Sequence, residues 1–309
     1  MIRKLTVILA LAAAGLFALP PYSGTIFNFP DSFRDTDPTA LTGVVYAGQQ
    51  QKRVYDRRAG NITINAFVYT AGFDDGAGDW SIMVNPEFTR TVADSLAAKY
   101  ARNIGQMPHC IRAGVSGAVI HDGINPWGGG DPLTIHHGQG LEYERQGIVT
   151  ETMIHESTHA EFDRQYYTSD WSAAASADGE FISTYARDNP TREDHSETFL
   201  CWFVARYKRD RISASDYAKI SATVPNRLAW YDGRNFKLSP AVAGPSAIHA
   251  ARFAVLPPPT FSGNPRKPAL SKTSLGVWVE RPASLGGRIW DMRGRLAGIR
   301  APEPFPARP

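Results

Sequence analysis

The sequence predicts an α/β domain of the α+β kind, a small mixed sheet backed by helices, on three observations. Strand-like alternation gives way repeatedly to helical spacing between about residues 62 and 207. The 309 residues suffice for one large domain or two small ones with a sizeable core. Apolar residues make up 43% and charged residues 20%, which excludes an intrinsically disordered chain and a coiled coil.

Residues 1–18 stand outside that fold. Arg3 and Lys4 precede an apolar run over 5–19, and Pro20-Pro21 stops any helix, so the layout is that of a signal peptide cleaved after Ala18. An uncleaved anchor is the alternative, and the run is short of the ~20 residues that span a bilayer. The mature protein is expected to be secreted, extracellular or periplasmic, with no stable membrane insertion after signal cleavage. A pairing of Cys110 with Cys201 in one disulfide follows from an oxidising compartment; two buried free thiols are the other reading.

The body is expected to run from 19 to 256. After a polar entry segment, Ile62, Ile64, Ala66 and Val68 share one face of a strand over 62–69, a Gly/Asp-rich turn follows, and 80–84 is its partner strand. Val92, Leu96, Ala97, Tyr100 and Ile104 fall at helical spacing over 91–104, with Gly105 as the stop. A strand is expected over 110–120, then the loop Asn125-Pro126-Trp127-Gly128-Gly129-Gly130, either a gate or a plain surface loop. A short strand follows over 133–136, placed as the edge along which an extended peptide could pair. Helices are expected over 146–166 and 191–207. Residues 257–309 hold 10 of the 22 prolines and nine Lys/Arg against three Asp/Glu, and are expected to form a basic linker or loosely docked arm. The remaining residues carry 24 basic and 27 acidic groups, a balance that argues against a nucleic-acid partner.

The chemistry-bearing motif is His155-Glu156-Ser157-Thr158-His159. Positions i and i+4 share a helical face, so both imidazoles can reach one ion, with Glu156 beside them as a general base on a metal-bound water. Zn2+ suits the need, since it accepts three protein ligands and keeps a fourth position open. Three places could supply the third ligand. Phe162 and Gln165 occupy the positions where a Gly and a His or Asp would continue the motif, so that pattern fails. Asp170 is a candidate without its flanking motif. Glu193 and Glu197, again i and i+4 and followed by the apolar run 199–204, offer a carboxylate ligand with a second carboxylate supporting a histidine from outside. Asp163, four residues after His159, is either such a support or solvated. His195 falls off the Glu193/Glu197 face.

The two motifs together, His155-Glu-Ser-Thr-His159 and Ser183-Thr-Tyr185-Ala-Arg-Asp-Asn189…Glu193-Asp-His-Ser-Glu197-Thr-Phe199, resemble the catalytic domain of the anthrax lethal factor family of gluzincin metallopeptidases over some 60 residues. The resemblance implies a zincin-like fold and a zinc-dependent peptidase acting on a protein or peptide substrate. It places His155, His159 and Glu193 on the metal, Glu156 as the base, Tyr185 as hydrogen-bond donor to the oxyanion, and Glu197 in support. The step from Tyr185 to Glu193 is one residue longer than the family spacing. Two other classes fit the composition: a secreted binding module retaining a structural zinc, and a zinc hydrolase acting on a non-peptide amide.

Overall fold

Residues 20–24 and 29–242 are described by the structure, a computed structural model, together with four short strands within 271–298. The segment expected to be a signal peptide lies outside the described residues, as does most of the proline-rich tail. The first strands, β1 (Leu41–Asp56) and β2 (Gly60–Phe73), form a long antiparallel hairpin. Its turn closes where Gly60 adopts φ +74°, a left-handed conformation that a side chain would strain. β3 (Trp80–Val84) pairs antiparallel with residues 67–71 of β2 alone. Helix α1 (Arg90–Gln106) returns across the sheet, the turn α2 (His109–Arg112) follows, and β4 (Gly117–His121) and β5 (Leu133–His136) add in parallel. The sheet is mixed, in the order β1-β2-β3-β4-β5.

The two faces of this sheet are covered by different things. Ile82, Val84, Ala118 and Ile120 point into the main core with α1, whose buried stripe is Ala93, Leu96, Ala97, Tyr100, Ala101 and Ile104. Met83 and Val119 point the other way, as alternation along a strand requires. On the turn side of residue 67 the hairpin outruns β3, and Val54, Ala66, Ile62 and Ile64 of this two-stranded arm cover Met83 and Val119. β4 is thereby buried on both faces, which explains its uninterrupted apolar run Ala118-Val119-Ile120. At the arm's tip, buried Asp56 accepts hydrogen bonds from Arg58 and lies 3.5 Å from His121 Nδ1 and 3.9 Å from His136 Nε2. Burial pushes its carboxyl up, and the Arg58 hydrogen bonds outweigh that, bringing it down to about 2.

The remaining helices are α3 (His137–Gln146), α4 (Val149–Phe162), α5 (Ser169–Asp178), α6 (Thr184–Asp188), α7 (Asp194–Tyr207), α8 (Ala214–Thr223) and α9 (Pro225–Asp232). A second unit, Ser246–Pro309, contains the strands β6 (Ser271–Lys272), β7 (Trp278–Val279), β8 (Ile289–Trp290) and β9 (Leu296–Gly298), paired antiparallel in that order. Among the described residues no helix is long and apolar enough to cross a membrane.

Several expectations change. The polar entry segment before residue 62 is β1, a full member of the sheet. The expected strand 110–120 divides into the helical turn α2 and β4, because Arg112 turns inward, donating to the carbonyls of Ile104 and Gly105 and pairing with Asp75. Gly105 does not stop α1, which runs one residue further. The single helix expected over 146–166 is cut by Gly147, whose φ of +70° caps α3 and leaves α4 to start at Val149. The expected disulfide is absent: Cys110 and Cys201 are free thiols. Cys201 is fully buried on α7 with its Sγ donating to the Glu197 carbonyl at 3.3 Å, directed along its own helix rather than toward Cys110.

Candidate metal centre

Two helices cross to make the site. α4 is buried on nearly every side, and its hydroxyls are satisfied internally: Thr152 Oγ1 and Thr158 Oγ1 each donate to the carbonyl four residues earlier at 2.7 Å. α7 is buried continuously from Asp194 to Ala205 and packs against α4. Asn189–Glu193 is a tight turn in which Glu193 N–H donates to Asn189 O at 2.9 Å, and it delivers Glu193 to the N-terminus of α7.

The crossing brings His155 Nε2, His159 Nε2 and Glu193 Oε2 together. The two nitrogens are 3.2 Å apart, and the carboxylate oxygen lies 3.4 Å from His155 and 3.1 Å from His159. Zinc–ligand bonds of about 2.0–2.2 Å in a tetrahedron place neighbouring ligand atoms roughly 3.3 Å apart, so this triangle has the size of one face of such a site. Glu193 Oε2 is buried without a well-directed hydrogen bond, as befits an atom aimed at a point shared with two ring nitrogens. Burial pushes the Glu193 carboxyl up, yet the two histidines outweigh it and hold it well below the carboxylate range. For His159 burial pulls down, and Asp163 and Glu193 outweigh that, raising it to about 10.

Each imidazole is also held from behind. His159 Nδ1 lies 3.1 Å from Asp163 Oδ2 and 2.9 Å from Ser196 Oγ; His155 Nδ1 faces Oε1 of the fully buried Glu197 at 3.5 Å. Such partners fix the ring and leave Nε2 free to act as a ligand. Ser196 was not singled out by the sequence, since only the crossing of α7 over α4 puts its hydroxyl there.

Glu156 sits on the open side of α4, beside the loop 125–130. Gly129 crosses this helix so closely that a Cβ would stand 2.6 Å from the Glu156 carbonyl oxygen, 2.7 Å from His159 Cβ and 3.1 Å from Glu156 Oε2. Only glycine fits there. The loop is pinned by buried Trp127, whose Nε1 donates to the His136 carbonyl at 3.0 Å, and by two 3.0 Å backbone bonds between Gly128 and Thr134. β5 is the sheet edge, as expected, but these bonds occupy its outward-facing groups at Thr134 and His136. The loop backbone outside these bonds is that of Gly129 and Gly130.

Comparisons with protein families, with curated proteins and with solved structures yield no match.

Tyr185, on α6, is 40% exposed; burial raises its phenol pKa, and the charge of Glu193 and a hydrogen bond to it add to that rise. Asp170 takes no part in the cluster, since it accepts from Trp230 Nε1 at 2.9 Å and pairs with Arg234. His195 is fully buried, stacked on Trp171 at 3.8 Å, with Nδ1 3.0 Å from the Tyr231 hydroxyl, and burial lowers it to about 3. It is a neutral core histidine.

Proposed function

We propose that the protein is a zinc-dependent metallopeptidase of the gluzincin kind, hydrolysing peptide bonds. The observation that supports it is the convergence of His155, His159 and Glu193, from motifs 34 residues apart, on a triangle of zinc dimensions with Glu156 beside it. Zinc bound there supplies a Lewis acid that polarises a carbonyl and acidifies a water. Glu156 accepts the proton of the attacking water and passes it to the leaving amine. Tyr185, half exposed beside Glu193, donates to the oxygen on which negative charge develops. Asp163, Ser196 and Glu197 hold the imidazoles in the tautomer that presents Nε2.

The test is zinc content and cleavage of a peptide mixture by the full chain. About one zinc per chain is expected, lost on Glu193→Ala. Glu156→Gln is expected to keep the metal and cut peptide cleavage about 10³-fold. A parent protein that binds little zinc, or a Glu156→Gln variant that cleaves as well as the parent, overturns the reading.

A further inference from the structure

A pocket of about 480 Å³ adjoins the metal centre. One wall is the arm of the hairpin, with Arg53, Tyr55 and Arg57; the other is the loop Gly128-Gly129-Gly130. Gly129 belongs to both places, since it lines the pocket on one side and presses on Glu156 and His159 on the other. A chain lying across the glycines toward Glu156 would therefore pass this opening within a few residues of the bond to be cut.

The charges on its walls are unequal. Arg57 is fixed by a backbone carbonyl, its Nη2 donating to Trp127 O at 2.5 Å, and it makes no ion pair among the described residues. Arg53 makes no ion pair among the described residues. Of the nearby acids, Asp56 and Glu87 both take Arg58; Asp131, on the pocket's own wall, keeps its charge but turns Oδ1 to Ser116, accepting from Ser116 N at 2.7 Å and Ser116 Oγ at 2.6 Å, so two guanidinium groups stand against one carboxylate in the lining. Arg57 also lies close enough to the base for Tyr143 to feel both: burial raises the Tyr143 phenol, the Glu156 charge adds to that, and Arg57 opposes it. Two guanidinium groups, each a planar fork of donors, meet an opening with hydroxyl and backbone donors around it, which is the chemistry that binds a carboxylate.

We propose that this pocket is a substrate subsite for an acidic residue, Glu or Asp, flanking the scissile bond, with Arg53 and Arg57 as the specificity-determining residues. The inference rests on the peptidase reading of the neighbouring centre. Its test begins with full-chain, zinc-loaded protein digesting a random peptide mixture, the residues around each cut being read by mass spectrometry. Acidic residues should be enriched at one flanking position. Matched peptides differing only in Glu or Gln there should differ in kcat/KM by about tenfold, the scale of one charged hydrogen-bonded pair. In Arg53→Gln/Arg57→Gln that ratio should fall close to one, and Arg57→Lys with Arg53 intact should restore most of it. A parent without acidic preference, or a double variant that retains the Glu:Gln ratio, overturns the subsite.

Binding separates this from failure of the peptidase reading. The Glu156→Gln protein is titrated with a fluorescent peptide of five glutamates and with its five-glutamine counterpart. Tighter binding of the acidic peptide that vanishes with Arg53 and Arg57 sustains the pocket even if no peptide is cut. Equal binding of the two refutes it whatever the activity.

Discussion

In α7 every residue from Asp194 to Ala205 is buried, whereas β1 turns alternate residues to solvent along most of its length and buries only Val54 and Asp56 fully. The helix crossing with α4 forms the floor of the site, and the β1–β2 arm forms an outer wall of the pocket beside it. What the pair teaches is a division of labour between burial and charge. The crossing fixes His155, His159 and Glu193 within close-packed surroundings, where a shift opens a cavity. The arm keeps its arginines in water, where they can meet a partner, and is secured at its tip by Asp56 and on its underside by a few aliphatic side chains.

The strongest attempt to break the contrast is truncation in the crossing. Phe199→Ala, with its ring fully buried against Phe162, Trp202 and Tyr231, should cost about 4 kcal/mol in chemical denaturation. Next comes a titration inside α4. Glu151 is buried, its Oε1 accepting from Ser32 Oγ at 2.7 Å and Phe33 N at 2.8 Å, and burial outweighs these bonds to raise it from 4.5 to about 7. The folded protein therefore holds this proton over a range where the unfolded chain has released it. Its contribution to stability is intact below pH 4.5, falls as pH rises from there to about 7, and is level above, a loss of about 3 kcal/mol. Glu151→Gln keeps the acceptor oxygen and cannot ionise, so subtracting its stability-against-pH curve from the parent's should leave that decline.

How far the sequence reached follows the same divide. His155, His159 and Glu193 were legible because each helix advertises its site through i, i+4 spacing, and the continuous apolar run after Glu197 announced burial. Ser196 was not, because its role depends on how two helices cross, a relation that no spacing within one helix encodes. The strands β3 and β5 and the helix α1 were legible from their periodicity. β1 was not: Gln49-Gln50-Gln51-Lys52-Arg53 alternates in burial without alternating in hydropathy. Arg57 carried no local signal at all, as its place beside Trp127 comes from an arm that folds over from the opposite edge of the sheet.

Two smaller effects sharpen the contrast. Ser196→Ala should weaken zinc affinity about tenfold without unfolding the protein, measured by competition with a chromogenic chelator, because His159 keeps Asp163. Val45→Ala, on β1 and 68% exposed, should change stability by no more than about 0.5 kcal/mol in the same denaturation experiment that shows the loss for Phe199→Ala.

The free thiols carry a consequence for handling and for biology alike. Cys201 is sealed in the core and burial lifts its thiol well above the ordinary value; the same cause raises Cys110. Since the thiolate is the reactive form, neither should exchange, oxidise or compete with imidazole for zinc while the fold is intact. With no other cysteine in the chain, the native state needs no oxidant to form and has no covalent clamp for a reductant to cut. Dithiothreitol should be harmless, and maturation should proceed equally well on either side of a membrane that separates reducing from oxidising space.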